Sequence, residues 1–144
     1  CIATLLEDEI TTYNLGNSRA YRFRDGVLLQ LTKDQTKVQQ LYDMGLISEN
    51  QIYSHPEKNI ISGYVGCDGF DSKRIDVITH RERFRRNDML MLCSDGVSDY
   101  INIDEIENAL IMDGELSKKA DAIIDKIYSN GAGDNISLIL VNKL

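Results

Sequence analysis

Two short acidic segments carry the residue types best suited to chemistry. The first, Ser94-Asp95-Gly96-Val97-Ser98-Asp99, follows the apolar run Met89–Cys93 directly. The second, Gly131-Ala132-Gly133-Asp134-Asn135, leads straight into residues 136–141, another largely apolar run. A carboxylate at the mouth of a buried strand is poorly hydrated, so it should be paired, hydrogen-bonded or bound to a cation. If the two strands are neighbours, Asp95 and Asp134 could converge on one hard cation such as Mg²⁺ or Mn²⁺, which takes oxygen ligands. The plainer alternative is that Asp-Gly and Gly-Asp-Asn are turns, and either segment alone is more often a turn than a metal site.

Other reactive residues offer less. Cys93 adjoins the first acidic segment, but a cysteine attacking phosphorus needs an arginine closing a short phosphate loop. Position 99 is Asp and position 73 is Lys, so neither Cys93 nor Cys67 has that arginine. Cys93 reads as a small buried apolar residue. His55 precedes Pro56 and serves its loop, and His80 lies near a strand end, where exposure is expected. There is no Ser-His-Asp order and no GxSxG elbow. Residues 80–86 form the one basic cluster on an acidic chain. It could steer a phosphorylated substrate, because arginine pairs well with phosphate. The plainer alternative is a solvated strand edge or loop.

These residues need a frame. Residues 1–7 read as a buried strand, 8–9 as a turn and 10–15 as a second strand rich in β-branched residues. Gly16-Asn17-Ser18 breaks it. Residues 20–24 make a third strand with Tyr21 and Phe23 on one face, Asp25-Gly26 is a hairpin signal, and residues 27–31 return. The pattern is an antiparallel meander. Val38, Leu41, Tyr42 and Gly45 have helical spacing, with Gly45 as the cap. Ser48 starts a second short helix that His55-Pro56 ends. Residues 59–76 read as a long surface loop around Ile60-Ile61.

Residues 75–78 and Met89–Cys93 are expected strands, the second central because it is continuously apolar, with a turn at Asn87-Asp88 before it. Asn102 and Glu105 form a capping box, Ile106, Ala109 and Leu110 face the core, and Gly114 stops that helix. Ser117 is expected to cap the next helix, whose apolar stripe is Ala120, Ile123, Ile124 and Ile127. Asn130-Gly131 ends it, and residues 136–141 form the last buried strand.

The bulk properties narrow the function. A length of 144 residues suits one domain, 1–144. A formal charge of −7 disfavours nucleic-acid binding and attraction to anionic membranes. Three widely spaced cysteines without a CxxC pair indicate neither a disulfide framework nor a zinc knuckle, so a reducing cytoplasmic setting is expected. No apolar run approaches the roughly 20 residues of a membrane helix. The chain opens inside an apparent core strand, Cys1-Ile2-Ala3-Thr4-Leu5-Leu6, which leads us to expect a segment before it.

Five segments, in order, resemble the metal-dependent serine/threonine protein phosphatases of the PPM (type 2C) family in its bacterial style. Asn14-Leu15-Gly16-Asn17-Ser18-Arg19-Ala20-Tyr21 resembles N-V-G-D-S-R-A-Y. Leu31-Thr32-Lys33-Asp34-Gln35-Thr36 resembles L-T-x-D-H-S/T. Gly45-Leu46-Ile47-Ser48, with His55-Pro56 and Asn59, resembles G-x-I-(T/S)…H-P…N. Residues 87–96 resemble G-D-R-L-L-L-C-S-D-G, and residues 131–136 resemble G-G-x-D-N-I/V.

The resemblance implies an α+β fold, an antiparallel β-sandwich flanked by helices in α-β-β-α layers, here with the N-terminal part of the domain missing. It implies hydrolysis of phosphoserine and phosphothreonine by water held between two Mn²⁺ or Mg²⁺ ions, without a covalent intermediate. Asp95 and Asp134 match ligands of the metal pair, and Asp99 matches a ligand of a weaker third ion. Gly96 would allow close backbone approach, and residues 47–76 would form a flap that governs substrate choice. Implied partners are phosphorylated proteins and the serine/threonine kinase whose signalling the enzyme reverses.

Two departures from the pattern matter. The family's remaining acids, including that of a D-G-M-G-G-H-like motif, would precede Cys1, so these 144 residues alone are expected to be inactive and to self-associate through an uncovered apolar face. Asn17 stands where the family usually has Asp, which should weaken the third ion. These departures keep a second reading open: a pseudophosphatase or regulatory domain that binds phosphoproteins without turnover.

Overall fold

The computed structural model describes residues 1–65 and 77–143. Seven strands and five helices follow in the order β1 (Ile2–Leu6), β2 (Glu9–Asn14), β3 (Arg19–Arg24), β4 (Val27–Gln30), α1 (Lys37–Asp43), α2 (Glu49–Ser54), β5 (Ile78–Arg83), β6 (Met89–Cys93), α3 (Asp95–Ser98), α4 (Ile103–Ile111), α5 (Leu116–Ser129) and β7 (Leu138–Asn142). All pairings are antiparallel, in two sheets ordered β1-β2-β5 and β4-β3-β6-β7. The expected meander is present. Asp25 and Gly26 take positive φ of 52° and 84° between β3 and β4, which a two-residue hairpin requires.

Period-two alternation sorts the side chains into two cores. Ile10 of β2, Leu31, Phe84 and Leu90 of β6 fill the space between the sheets, with Ala3, Leu92 and Val141 packed against them. Tyr21, Phe23, Met91 and Cys93 point to the other face of the second sheet. There they meet Ile106, Ala109 and Leu110 of α4 and Ile123 and Ile127 of α5. The layers are therefore sheet, sheet, helices. Local chemistry fixes the helices: the Asn102–Glu105 box makes both of its bonds, and Lys119 donates to the Leu110 and Met112 carbonyls where α4 ends.

Several boundaries differ from those expected. β1 is not buried: Ile2 is 63 % and Leu6 71 % exposed. It is an edge strand, and its outward face, shared with Tyr13, is left open to solvent. Where a strand was expected at 75–78, β5 starts at Ile78 and runs through the basic cluster to Arg83; residues 75–76 lie outside the described residues, as do 66–76 of the expected loop. α5 starts two residues earlier than a Ser117 cap implies, with Glu115 at the cap position and no side-chain cap bond. β7 begins at Leu138 and lies at the sheet edge, so it is only half-buried, with Ile139 60 % exposed. Residues 95–98, expected as loop, form the single turn α3.

Candidate functional site

β6 leaves the core at Cys93 and turns directly into α3, which makes Asp95 the first residue of a helix. Val97, fully buried, pins that turn to the core. The neighbouring strand brings the second acidic segment alongside. Past the last β6–β7 pair, Cys93 with Leu138, the two chains stay stitched through Ser94. Its N–H donates to the Ser137 carbonyl at 3.0 Å, its hydroxyl donates to the Asn135 carbonyl at 3.2 Å, and that same hydroxyl oxygen accepts the Ser137 N–H at 3.1 Å.

This stitching lays the 134–135 turn against Gly96. A Cβ on Gly96 would lie 2.2 Å from the Asn135 carbonyl oxygen and 3.6 Å from the Asp134 Cβ. Only a residue without a side chain lets the two acidic loops close to this distance. The strands that carry Asp95 and Asp134 are thus neighbours, as the convergence of the two segments requires.

The polar groups are held in definite positions. Asp95 Oδ1 accepts its neighbour Gly96 N–H at 3.0 Å, and Oδ2 accepts the Asn17 side-chain N–H at 2.9 Å. Asn17 reaches it from the β2–β3 turn. That turn is fixed by Gly16 at φ +98°, by Gln35, whose side-chain oxygen accepts the Gly16 N–H at 2.9 Å, and by buried Asn14, which donates to the Gly16 and Lys33 carbonyls. Asp134 Oδ1 accepts the Asn135 N–H at 2.7 Å. Asp99, at the end of α3, forms an ion pair with Lys58 at 3.3 Å. Lys58 belongs to the 47–76 segment, whose described part is also tied down by the Lys37–Glu57 pair and the Lys37 N–H donating to the Ile60 carbonyl.

Asn17, Arg19, Asp34, Lys58, Asp95 and Asp99 share one cavity of about 260 Å³. Asp134 is not among its lining residues; it lies behind Gly96. Arg19 and Asp34 were not singled out in the sequence, yet they form the firmest contact there. Arg19 Nε donates to both Asp34 oxygens at 3.0 Å, Nη2 donates to Oδ2 at 2.7 Å, and Nη1 donates to the Tyr21 hydroxyl at 3.2 Å. Burial opposes the Arg19 charge, but the Asp34 bonds and the Tyr21 hydroxyl outweigh it, so Arg19 holds its proton more firmly than a free arginine. The signal for the pair was present. Arg19 falls on the same β3 face as buried Tyr21 and Phe23, and a charge on a buried face needs a partner.

The thiol and imidazole alternatives fare as expected. Burial pushes the Cys93 thiol up to about 12, which removes its thiolate at neutral pH. Burial likewise pushes Tyr21 up to about 12. His55 Nδ1 accepts the Glu57 N–H and so serves its own turn. His80 points inward to Glu82 at 3.4 Å and is half-buried, where exposure was expected.

No protein-family model matches the chain. Over 98 % of its length, however, it is 36 % identical to the serine/threonine phosphatase Stp of Listeria monocytogenes, 54 % of which is covered. It superposes on the S. agalactiae serine/threonine phosphatase with a TM-score of 0.91 at 27 % identity, over 99 % of this chain and 57 % of that one. Over nearly its whole length the chain is thus similar to bacterial serine/threonine phosphatases. It spans about half the length of the curated relatives it matches. A further solved structure, the catalytic domain of the serine/threonine protein phosphatase PstP, matches with a TM-score of 0.81 at 28 % identity over 97 % of this chain and 56 % of that one, and is a complex with two manganese ions.

Whether the residues of this chain suit such ions can be tested on their own chemistry. In kind they do: Asp95, Asp99 and Asp134 are hard oxygen donors brought to one end of the second sheet. In number they do not. Among the described residues no three His, Cys, Asp or Glu side chains come together as a metal-holding group, and both Asp95 oxygens already accept hydrogen bonds.

Proposed function

We propose that this chain supplies part of the active centre of a protein phosphatase that hydrolyses phosphoserine and phosphothreonine. The observation that carries the reading is the closure of the Asp95 and Asp134 loops across Gly96, in a chain 36 % identical to a named phosphatase. In the net reaction water forms a bond to phosphorus, the bond from phosphorus to the serine or threonine oxygen breaks, and that oxygen takes a proton. Bound Mn²⁺ or Mg²⁺ would contribute positive charge against the phosphoryl oxygens and acidify water.

The chain's own residues do the placing. Asp95 and Asp134, on adjoining strand ends, would supply carboxylate oxygens to the paired cations rather than contact the phosphate themselves. The Asn17 amide holds the Asp95 carboxylate in one rotamer. Asp99, paired here with Lys58, would be the ligand of a weaker third cation. Residues 47–76 act as the flap that selects substrate; exchanging them for a relative's segment should change phosphopeptide preference. The partners are cytoplasmic phosphoproteins and the kinase that modifies them. The open face around Ile2, Leu6 and Tyr13 drives self-association of this chain, which Leu6→Lys should relieve in sedimentation.

The deciding assay is Mn²⁺-dependent hydrolysis of p-nitrophenyl phosphate and a phosphothreonine peptide. It compares this chain with a form lengthened toward the size of its relatives, each with and without EDTA. Activity in the longer form that EDTA abolishes supports the reading. Peptide binding without turnover in that form, even with Asn17→Asp, would replace it with the regulatory reading. The relatives reported above all bear the name phosphatase, which favours turnover.

A further inference from the structure

At the opposite end of β6 from Asp95, a depression of about 530 Å³ is lined by Asp8, Arg83, Phe84, Arg85, Arg86 and Lys143. Its charge is unusual for a chain with 23 acidic and 16 basic residues. Among the described residues the other arginines are engaged: Arg19 with Asp34, Arg22 with Glu82, Arg24 with Asp88 and Arg81 with Glu9. Arg83, Arg85 and Arg86 form no ion pair among the described residues, and all three line this one depression.

The carboxylates that could neutralise them are already committed. Asp8 holds Lys143. Glu9 holds Arg81, and Glu82 holds Arg22 and His80. Asp88 is buried and bonded twice to Arg24 and once to the Arg85 backbone N–H. Among the described residues the three guanidinium groups therefore face solvent without a salt-bridge partner, Arg83 acting on the Asp8 carboxylate only through its charge, beyond salt-bridge distance.

The walls are also rigid. Phe84, 3 % exposed, is anchored in the core between the sheets, and this sets Arg83 and Arg85 on either side of it. Its N–H donates to the Asp8 carbonyl at 2.9 Å, and Lys143 Nζ donates to the Phe84 carbonyl at 3.0 Å. The β5–β6 turn is locked to β7 by the Asn87 N–H donating to the Lys143 carbonyl and the Lys143 N–H donating to the Asp88 carbonyl. Three chain segments thus fix the backbone from which the three arginine side chains line the depression. Guanidinium groups match a tetrahedral dianion in fork geometry, and a depression of this size admits such a group together with the residue that carries it, whereas a nucleic-acid duplex needs an extended positive stripe.

We infer that this depression binds a phosphate monoester, carried on a side chain of the protein whose dephosphorylation is proposed above; the inference rests on that reading for the identity of its ligand. The site grips one phosphorylated residue at the far end of β6, whose five residues span roughly 17 Å. A multiply phosphorylated substrate is thereby held while another of its residues reaches the Asp95 end.

The test is calorimetric titration in EDTA with three ligands: an acidic phosphothreonine peptide, its unphosphorylated counterpart and inorganic phosphate. The phosphopeptide should bind at least about tenfold more tightly than either of the others, and Arg85→Ala with Arg86→Ala should remove about tenfold or more of that affinity. Thermal melting checks that the variant is folded. In the parent chain, NMR signals of the Arg83, Arg85 and Arg86 side chains should shift with phosphopeptide, which needs no variant.

Unchanged affinity in the double variant, or shifts confined to the Lys58 and Asp95 cavity, would overturn the inference. Equal affinity for inorganic phosphate would reduce the depression to an adventitious anion site, which also overturns it. Hydrolysis of p-nitrophenyl phosphate is measured separately: its absence in the longer form sinks the phosphatase reading, while loss of phosphopeptide binding alone sinks only this one.

Discussion

At the scale of single residues, Gly96 and Asn17 decide how closely charge can gather. Gly96→Ala would place a methyl group 2.2 Å from a backbone carbonyl, which cannot swing aside as a side-chain end can. We expect a stability loss of about 1–3 kcal/mol, read from the urea midpoint; an unchanged midpoint would mean that the two loops do not touch. Asn17→Asp removes the N–H that Asp95 accepts and sets a second carboxylate beside the first. Like charges at hydrogen-bond range oppose ionisation. The variant should be less stable by about 1 kcal/mol without cations and gain more from added Mn²⁺ than the parent does. Melting temperatures with and without Mn²⁺ measure both; equal gains in the two proteins would count against Asn17 as the substitution that weakens a cation there. The sequence already marks these residues, because Asp-Gly after a buried strand and Gly-Asp-Asn before one are visible as spacing. Arg19 marks itself as a charge on the buried face of β3, but no spacing names Asp34, fifteen positions on, as the partner it needs.

At the scale of elements, caps and turns are the best-written part of the chain. Asn102→Ala breaks a box whose two bonds are both made, at 2.9 and 3.1 Å. It should cost about 1 kcal/mol, seen as a lower melting temperature with the loss of helical signal concentrated in α4. The hairpin at Asp25-Gly26, the helix stop at Asn130-Gly131 and the continuous run of β6 were all legible for the same local reasons. β5 was not, and its composition explains why. Its inward positions are Ile78, His80 and Glu82, of which two are polar: Glu82 forms an ion pair across the sheets with Arg22, and His80 meets Glu82 along its own strand. A strand whose inner face pairs ions shows no hydrophobic alternation. The start of β7 was misplaced because Ser137 joins the Ser94 stitching instead of the ladder. α3, a single turn, is too short to show a period.

At the scale of the whole molecule, the sandwich is apolar in the middle and ionic at one end, where Arg22–Glu82 bridges the space between the sheets and Arg24, paired with Asp88 within its own sheet, donates across to the Arg83 carbonyl. Burial raises the Asp88 carboxyl. The Arg24 hydrogen bond, the Arg85 N–H and the arginine charges outweigh that, and hold it below the usual carboxylate range. Because the folded value lies below the unfolded one, the contribution is fully present above the ordinary value near 4. It is lost as pH falls through the lowered folded value. Asp88→Asn should therefore be the less stable protein at pH 7, with the difference from the parent shrinking as acid is added. Denaturant midpoints across pH check this, and a gap that stays constant would assign the stabilisation to shape rather than charge.

Cys93 has a use that chemistry at the site does not give it. It sits 5 % exposed on the central strand β6, with its thiol shifted to about 12, while Cys1 stands in solvent. With Cys1 and Cys67 replaced by serine, an alkylating reagent could reach the remaining sulfur only while β3, β6 and α3 are parted. The rate of that labelling would then time how often the molecule opens at its centre, a native clock that needs no attached probe.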